Sequence, residues 1–308
     1  MKKILLLALL GGGLSLCTTG CKMSSATKAA DSVVADSADS VTEEVADVPA
    51  LAVDSIGFHA MKDSTLESTF IVDYPQGSDD LAMAVKRFVV EQLQANYLPR
   101  SFSDDKSHLR KYPDYSGSID NGKTVLRFFG KGTMRYLQET LADMAQYMDN
   151  TSELPPMYQK VKVKKEEDNG RYLTYSVSDE NYLGGAHGSY SFYYVNIDKH
   201  TCKPVTTTVD TLRVKALQPL LRKGVLRYLK ECGETSVTLS NLKEYLILPD
   251  DGLIPLPVNA PWVQNDSLNF VYQQYEIASY ATGLIQFNIA VKDMEPYLTK
   301  EAKAMLGK

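Results

Sequence analysis

The sequence predicts an α+β protein. Short strands and amphipathic helices are mixed without the regular strand–helix alternation of a parallel α/β sheet. Composition turns globular only from about residue 54, after an apolar leader and an acidic stretch without aromatics. The expected form is two mixed α/β subdomains, antiparallel sheets packed with helices, over residues 54–156 and 157–308. Pro155 and Pro156 mark the division.

In the first subdomain, Ile56–Met61 and Leu66–Tyr74 have strand composition, and Pro75-Gln76-Gly77 closes the second. Ser78, Asp79 and Asp80 suit the positive start of a helix. Leu81, Val85, Phe88, Val89 and Leu93 then form one apolar stripe. Residues 97–121 are polar and turn-rich, which predicts a long loop. A second helix is expected over Thr133–Tyr147, with Leu137, Leu141 and Met144 on one side.

The second subdomain opens with alternating residues around Val161 and Val163 and again over residues 172–177. Tyr190–Ile197 is an aromatic strand, followed by a turn over Asp198–Lys203. A helix is expected from Pro219 to Cys232, with Leu221, Val225, Tyr228, Leu229 and Cys232 facing inward and Gly233 as its C-terminal cap. Residues 241–248 suggest a short helix, residues 253–258, 268–272 and 284–291 suggest strands, and residues 294–306 suggest a final helix.

The leader has the layout of a secretory signal. Lys2 and Lys3 precede an apolar stretch, Ile4–Leu16, that falls short of the about 20 residues a membrane span needs. Thr18-Thr19-Gly20-Cys21 resembles a bacterial lipobox. Cleavage after residue 20 would leave Cys21 carrying acyl chains. Residues 21–53 would then form a disordered acidic tether. The expected location is the cell envelope, on the outer membrane and facing either the periplasm or the outside, with lipid as the only membrane attachment.

Loss of the leader leaves 31 basic against 38 acidic residues, a balance of −7. With no basic cluster apparent along the chain, nucleic acid is not the expected partner. Export permits a disulfide between Cys202 and Cys232, but the sequence leaves it open whether they pair.

The catalytic motifs with clear signatures are absent. There is no HExxH, no Cys/His cluster, no GxSxG elbow and no phosphate-binding glycine loop. Neither a metal nor a cofactor is therefore expected. SxxK occurs at Ser25, Ser103 and Ser240, and its presence in the acidic stretch shows how readily chance produces it. Two features remain. Gly184-Gly185-Ala186-His187-Gly188 presents a histidine on a glycine loop, which serves either as a strand connection or as a site able to move a proton near pH 7. Residues 270–283 form an aromatic run containing Tyr275, Glu276 and Tyr280, which serves either as core or as a binding surface.

These two runs resemble a known family. YLGGAHGSYSFYYVNID, with Cys202-Lys203 in the following turn, looks like a "GGAHG … N-x-D … T-G-K" signature. FVYQQYEIASYATG looks like "Y-E-I-A-x-Y-A-x-G". The family includes the extracellular domain of the anti-sigma factor RsiV and the C-terminal domain of PdaC-type peptidoglycan deacetylases. Residues 55–150 resemble its companion domain more loosely. Cys202 stands where the family has a turn glycine, and neither a sigma-binding segment nor a deacetylase metal motif is present.

The resemblance implies a binding module whose ligand is lysozyme or a related muramidase, or a peptidoglycan-type glycan. Gly184, Gly185, His187, Tyr190, Tyr275, Glu276 and Tyr280 are the candidate ligand-binding residues. The alternative is a glycan hydrolase using His187 with a carboxylate such as Glu276.

Overall fold

The computed structural model describes residues 48–101, 110–147 and 155–308. The leader, the lipidation site at Cys21 and most of the acidic stretch lie outside these residues, as does the SxxK at Ser103. The fold is α+β, built on a six-stranded and a three-stranded sheet.

The larger sheet contains β1 (Val53–Lys62), β2 (Leu66–Pro75), β3 (Met157–Asp168), β4 (Tyr172–Tyr182), β5 (Ser189–Asp198) and the short β6 (Lys203–Pro204), in sequence order across the sheet. Its pairs are antiparallel except β2 with β3, which run parallel from Leu66↔Met157 to Val72↔Val163. The expectation of antiparallel sheets holds for every strand pair but this one. Parallel neighbours need a long crossover, and here it contains helices α1 (Asp80–Ala95), α2 (Leu98–Ser101) and α3 (Gly122–Met144). One sheet thus continues across Pro155-Pro156, where the sequence suggests a division.

The α1 stripe is buried as expected, and Asp79 caps it by accepting from the Ala82 N–H at 2.9 Å. It packs with α3 on Phe70, Val72, Val161, Val163, Leu173, Tyr175 and Val177 of the sheet. Helix α3 starts at Gly122, capped by Asn121, well before the expected Thr133. Gly122, Gly130 and Gly132 disguise it, because glycine lowers helix propensity. Packing explains them: a Cβ on Gly130 would lie 2.1 Å from the Phe58 ring, and one on Gly132 would lie 1.8 Å from the Tyr97 hydroxyl. The segment expected as a loop contributes α2 and buries Tyr97, Leu98 and Tyr112.

The second core lies between helix α4 (Val214–Glu231) and the sheet of β7 (Trp262–Gln264), β8 (Ser267–Tyr272) and β9 (Ile285–Ala290). Helix α4 begins before the expected Pro219, which lies inside it. Leu221, Val225 and Leu229 are buried, whereas Cys232 is exposed beyond the helix end rather than facing inward. Residues 253–258 form no strand. The Gln218 side chain takes the partner's place, donating to the Ile254 carbonyl at 2.9 Å and accepting from the Ile254 N–H at 2.9 Å. The expected helix at residues 241–248 is a 3-10 turn, Leu242–Tyr245. The expected final helix is divided into α5 (Val291–Met294), a 3-10 turn containing Pro296, and α6 (Lys300–Met305), capped by Thr299.

Part of the expected tether belongs to the fold. The Val48 N–H donates to the Gly170 carbonyl, and the buried Lys199 donates to the Val48 carbonyl (2.7 Å), Asp168 Oδ1 (2.8 Å) and the Asn169 carbonyl (2.7 Å). Asp168 Oδ2 accepts from the Leu51 N–H at 2.7 Å, while Lys165 donates to the Leu51 carbonyl at 2.6 Å. All three ammonium donors of Lys199 are used, so its burial leaves no unmet hydrogen bond.

Cys202 and Cys232 are both free thiols. Cys202 has φ +55°, so the turn keeps the left-handed backbone that its resemblance to a glycine position implies.

Gly224 on α4 faces Phe287, and a Cβ there would lie 2.2 Å from that ring. Gly224→Ala would gain about 1 kcal/mol of helix propensity but overpack a buried ring stack, which typically costs about 1–3 kcal/mol. At this separation overpacking is expected to dominate, with a net loss of about 1–2 kcal/mol in urea unfolding. An unchanged midpoint would show that the ring moves aside without cost.

Candidate functional site

The loop between β4 and β5 and the segment after β8 are more than 80 residues apart, yet they meet. They form a cleft of about 340 Å³ lined by Gly185, His187, Tyr190, Gln273, Tyr275 and Tyr280, with Asn181, Ser189, Ser191 and Gln274 completing its polar wall.

The junction is made by side-chain amides. Gln273 accepts from the Phe192 N–H at 3.2 Å and donates to the Phe192 carbonyl at 3.0 Å, pairing with β5 as a neighbouring peptide would. The Gln274 Oε1 accepts from the Tyr190 N–H at 3.4 Å. Deeper down, Asn196 does the same for β7, donating to the Val263 carbonyl at 3.0 Å and accepting from its N–H at 2.6 Å.

His187 stacks on Tyr280 with ring centroids 4.0 Å apart, and the Tyr280 hydroxyl donates to the Gly188 carbonyl at 2.9 Å. His187 Nδ1 lies 3.0 Å from that carbonyl, and its Nε2 lies 3.4 Å from the Tyr275 hydroxyl. Tyr190 stacks with Phe192 at 6.4 Å. Tyr275 is 58% exposed and holds φ +66°, a region that costs a side-chain-bearing residue about 1–2 kcal/mol. Gly184 also has positive φ, but it turns against Met144 behind the cleft rather than lining it.

Glu276 does not join the site. Its Oε1 accepts from the Val258 N–H at 2.6 Å and its Oε2 from the Gln273 N–H at 2.7 Å, so both oxygens hold backbone. Burial pushes its pKa up against the pull of those two donors. Its structural role is to fix the turn that presents Gln273 and Tyr275. The cleft lining contains no carboxylate, which leaves His187 without an acidic partner there. Among the described residues, no group of three His, Cys, Asp or Glu side chains could hold a metal ion.

Of the residues singled out from sequence, Gly185, His187, Tyr190, Tyr275 and Tyr280 line the cleft, while Gly184 and Glu276 support it. Gln273, Gln274 and Asn181 were missed. The available signal was a pair of amides interrupting an otherwise aromatic run.

Residues 215–292 match a family model described as "Protein of unknown function (DUF3298)". The match includes α4, the second sheet and the Gln273–Tyr280 wall, but not the histidine loop. No curated protein matches the chain. The fold resembles a solved DUF3298 family member from Bacteroides fragilis NCTC 9343, with TM-score 0.58 and 17% identity over 85% of this chain and 100% of that one. It also resembles a DUF3298 family protein from Pseudomonas aeruginosa PAO1, with TM-score 0.52 and 11% identity over 83% and 97% of the two chains. At these identities the likeness is one of fold.

Asp179, two residues before Asn181, accepts from Gln159 Nε2 at 2.8 Å and from Asn181 Nδ2 at 2.9 Å. Burial is the main reason its pKa rises to about 6, with the neighbouring Glu180 charge adding to the shift. The folded state therefore holds a proton that the unfolded chain has released, and stability falls as pH rises from about 4 through about 6. Because the carboxyl is largely buried, this loss should be about 2 kcal/mol, close to the full value of the shift. Relative to wild type, Asp179→Asn should gain that amount between pH 4 and pH 7 in denaturant titrations. A constant difference across that range would show that Asp179 is ionised in the fold.

Proposed function

We propose that the chain is a binding module of the cell envelope whose cleft takes a glycan segment of the peptidoglycan type. The cleft itself carries the reading. Tyrosine and histidine rings offer flat apolar faces for sugar C–H groups, while the amides and hydroxyls of Gln274, Asn181, Ser189 and Ser191 suit sugar hydroxyls. Neutral polar groups on an aromatic wall favour an uncharged sugar over an ion. The envelope location rests on the leader and the Cys21 lipobox, which would make the chain an exported lipoprotein. No helix among the described residues is long and apolar enough to cross a membrane.

The strain at Tyr275 supports the same reading. An exposed tyrosine in left-handed backbone loses energy for a position where glycine would lose none, and such residues cluster at binding sites.

Lysozyme or a related muramidase is the second reading, favoured by the balance of −7 that loss of the leader would leave, which would attract a basic protein. Hydrolysis by His187 with Glu276 is disfavoured, because both Glu276 oxygens are engaged by backbone.

Tyr275→Gly separates function from stability. It should hold or slightly raise thermal stability by relieving the backbone, while weakening binding of soluble peptidoglycan fragments by about tenfold or more in calorimetric titration. Lysozyme is titrated in parallel. Equal affinity of variant and wild type for the fragments would remove Tyr275 from the site. Binding of lysozyme alone would establish the second reading.

A further inference from the structure

A second and larger cleft, about 710 Å³, lies against helix α3. Its apolar surface includes Tyr115 and Phe128 over the buried Tyr97, and Arg127, Lys131, Arg135 and Lys111 surround it. The three α3 cations are spaced i, i+4, i+8, so they share one face of the helix, and Lys123 extends the line by another turn. The absence of a basic cluster expected from the linear sequence is therefore corrected: helical spacing assembles one.

Like charges at that spacing destabilise a helix slightly. Two of the cations are engaged locally. Lys111 pairs with Glu139 at 2.7 Å, and Arg135 lies 4.5 Å over the Tyr112 ring. Arg127 and Lys131 are exposed and form no ion pair among the described residues. Among the described residues, an acidic chain thus keeps two cations without an ion-pair partner at the mouth of an apolar trough.

We propose that this trough binds a single-chain amphiphile with an anionic head, a long-chain carboxylate, whose head meets Arg127 and Lys131 while its chain lies along Tyr115 and Phe128. The ring geometry favours an aliphatic chain over nucleobases. Phe128 meets Tyr115 edge-to-face at 5.2 Å and Phe129 edge-to-face at 5.2 Å, so ring faces are occupied by neighbouring rings rather than offered as stacking platforms. Gly132 and Gly117 leave room for the Tyr97 and Tyr115 hydroxyls, which lie 1.8 Å and 2.6 Å from where a Cβ would stand. The volume lies within the usual range of about 300–1,000 Å³ for small-molecule sites.

The test uses the full chain and a C16 carboxylate below its micelle-forming concentration, read by calorimetry, with the C16 alcohol and a short single-stranded oligonucleotide as comparison ligands. The carboxylate should bind about tenfold or more tightly than the alcohol, because charge-assisted contacts hold its head. The double variant Arg127→Glu, Lys131→Glu should lose that preference while keeping its melting temperature, since both side chains are exposed. Tyr275→Gly, in the other cleft, should leave carboxylate binding unchanged, so failure here is distinguishable from failure of the glycan reading. Equal affinity for acid and alcohol, no binding of either, or preferential binding of the oligonucleotide would overturn the proposal.

Discussion

The outer edge of β5 is the constraint around which the second half of the molecule is arranged. β6 pairs only with Ile197 and Asp198, leaving Phe192 and its neighbours without a strand partner on that side. An edge of unpaired peptide groups is a template for unwanted pairing. Here side-chain amides act in place of another strand: Gln273 on Phe192, and Asn196 turned outward to Val263. Each presents a carbonyl oxygen and an N–H at roughly the geometry of a peptide, and Asn196 gives its second N–H to Thr174. Each therefore ends the sheet while docking the next element. Gln218 uses the same device at Ile254.

This explains why a cleft forms where it does. A true strand would have covered the edge completely and buried Tyr190. Amide contacts fix the second segment at separated points, leaving Tyr275 and Tyr280 free to face the histidine loop. Glu276 makes the arrangement rigid by holding the backbone of Gln273 and Val258.

Legibility of the sequence followed the same physics. Elements governed by periodicity were clear: the stripe of α1, the alternation in β3 and β4, and the strands β2, β8 and β9. Elements governed by particular neighbours were not. The first half of α3 was hidden because its glycines answer to Phe58 and Tyr97, rings brought there by the fold. The parallel pairing of β2 with β3 depends on where the crossover returns, which no local pattern encodes. At the candidate site, His187 and the tyrosines were legible from their motifs. The role of Glu276 was misread because a carboxylate in an aromatic run looks the same whether it faces a ligand or its own backbone.

The cluster around Lys199 and Asp168 has a mechanical consequence. Lys199 and Asp168 hold Val48 and Leu51 from opposite ends of the β3–β4 and β5–β6 turns, ahead of the first strand. Tension applied upstream of Val48 would enter the protein through these bonds and pass into two turns of the central sheet. It would have to break several charge-assisted hydrogen bonds together before it could peel β1 from its edge. The fold is thus fastened ahead of β1 to two turns of its central sheet, and not by the edge strand alone.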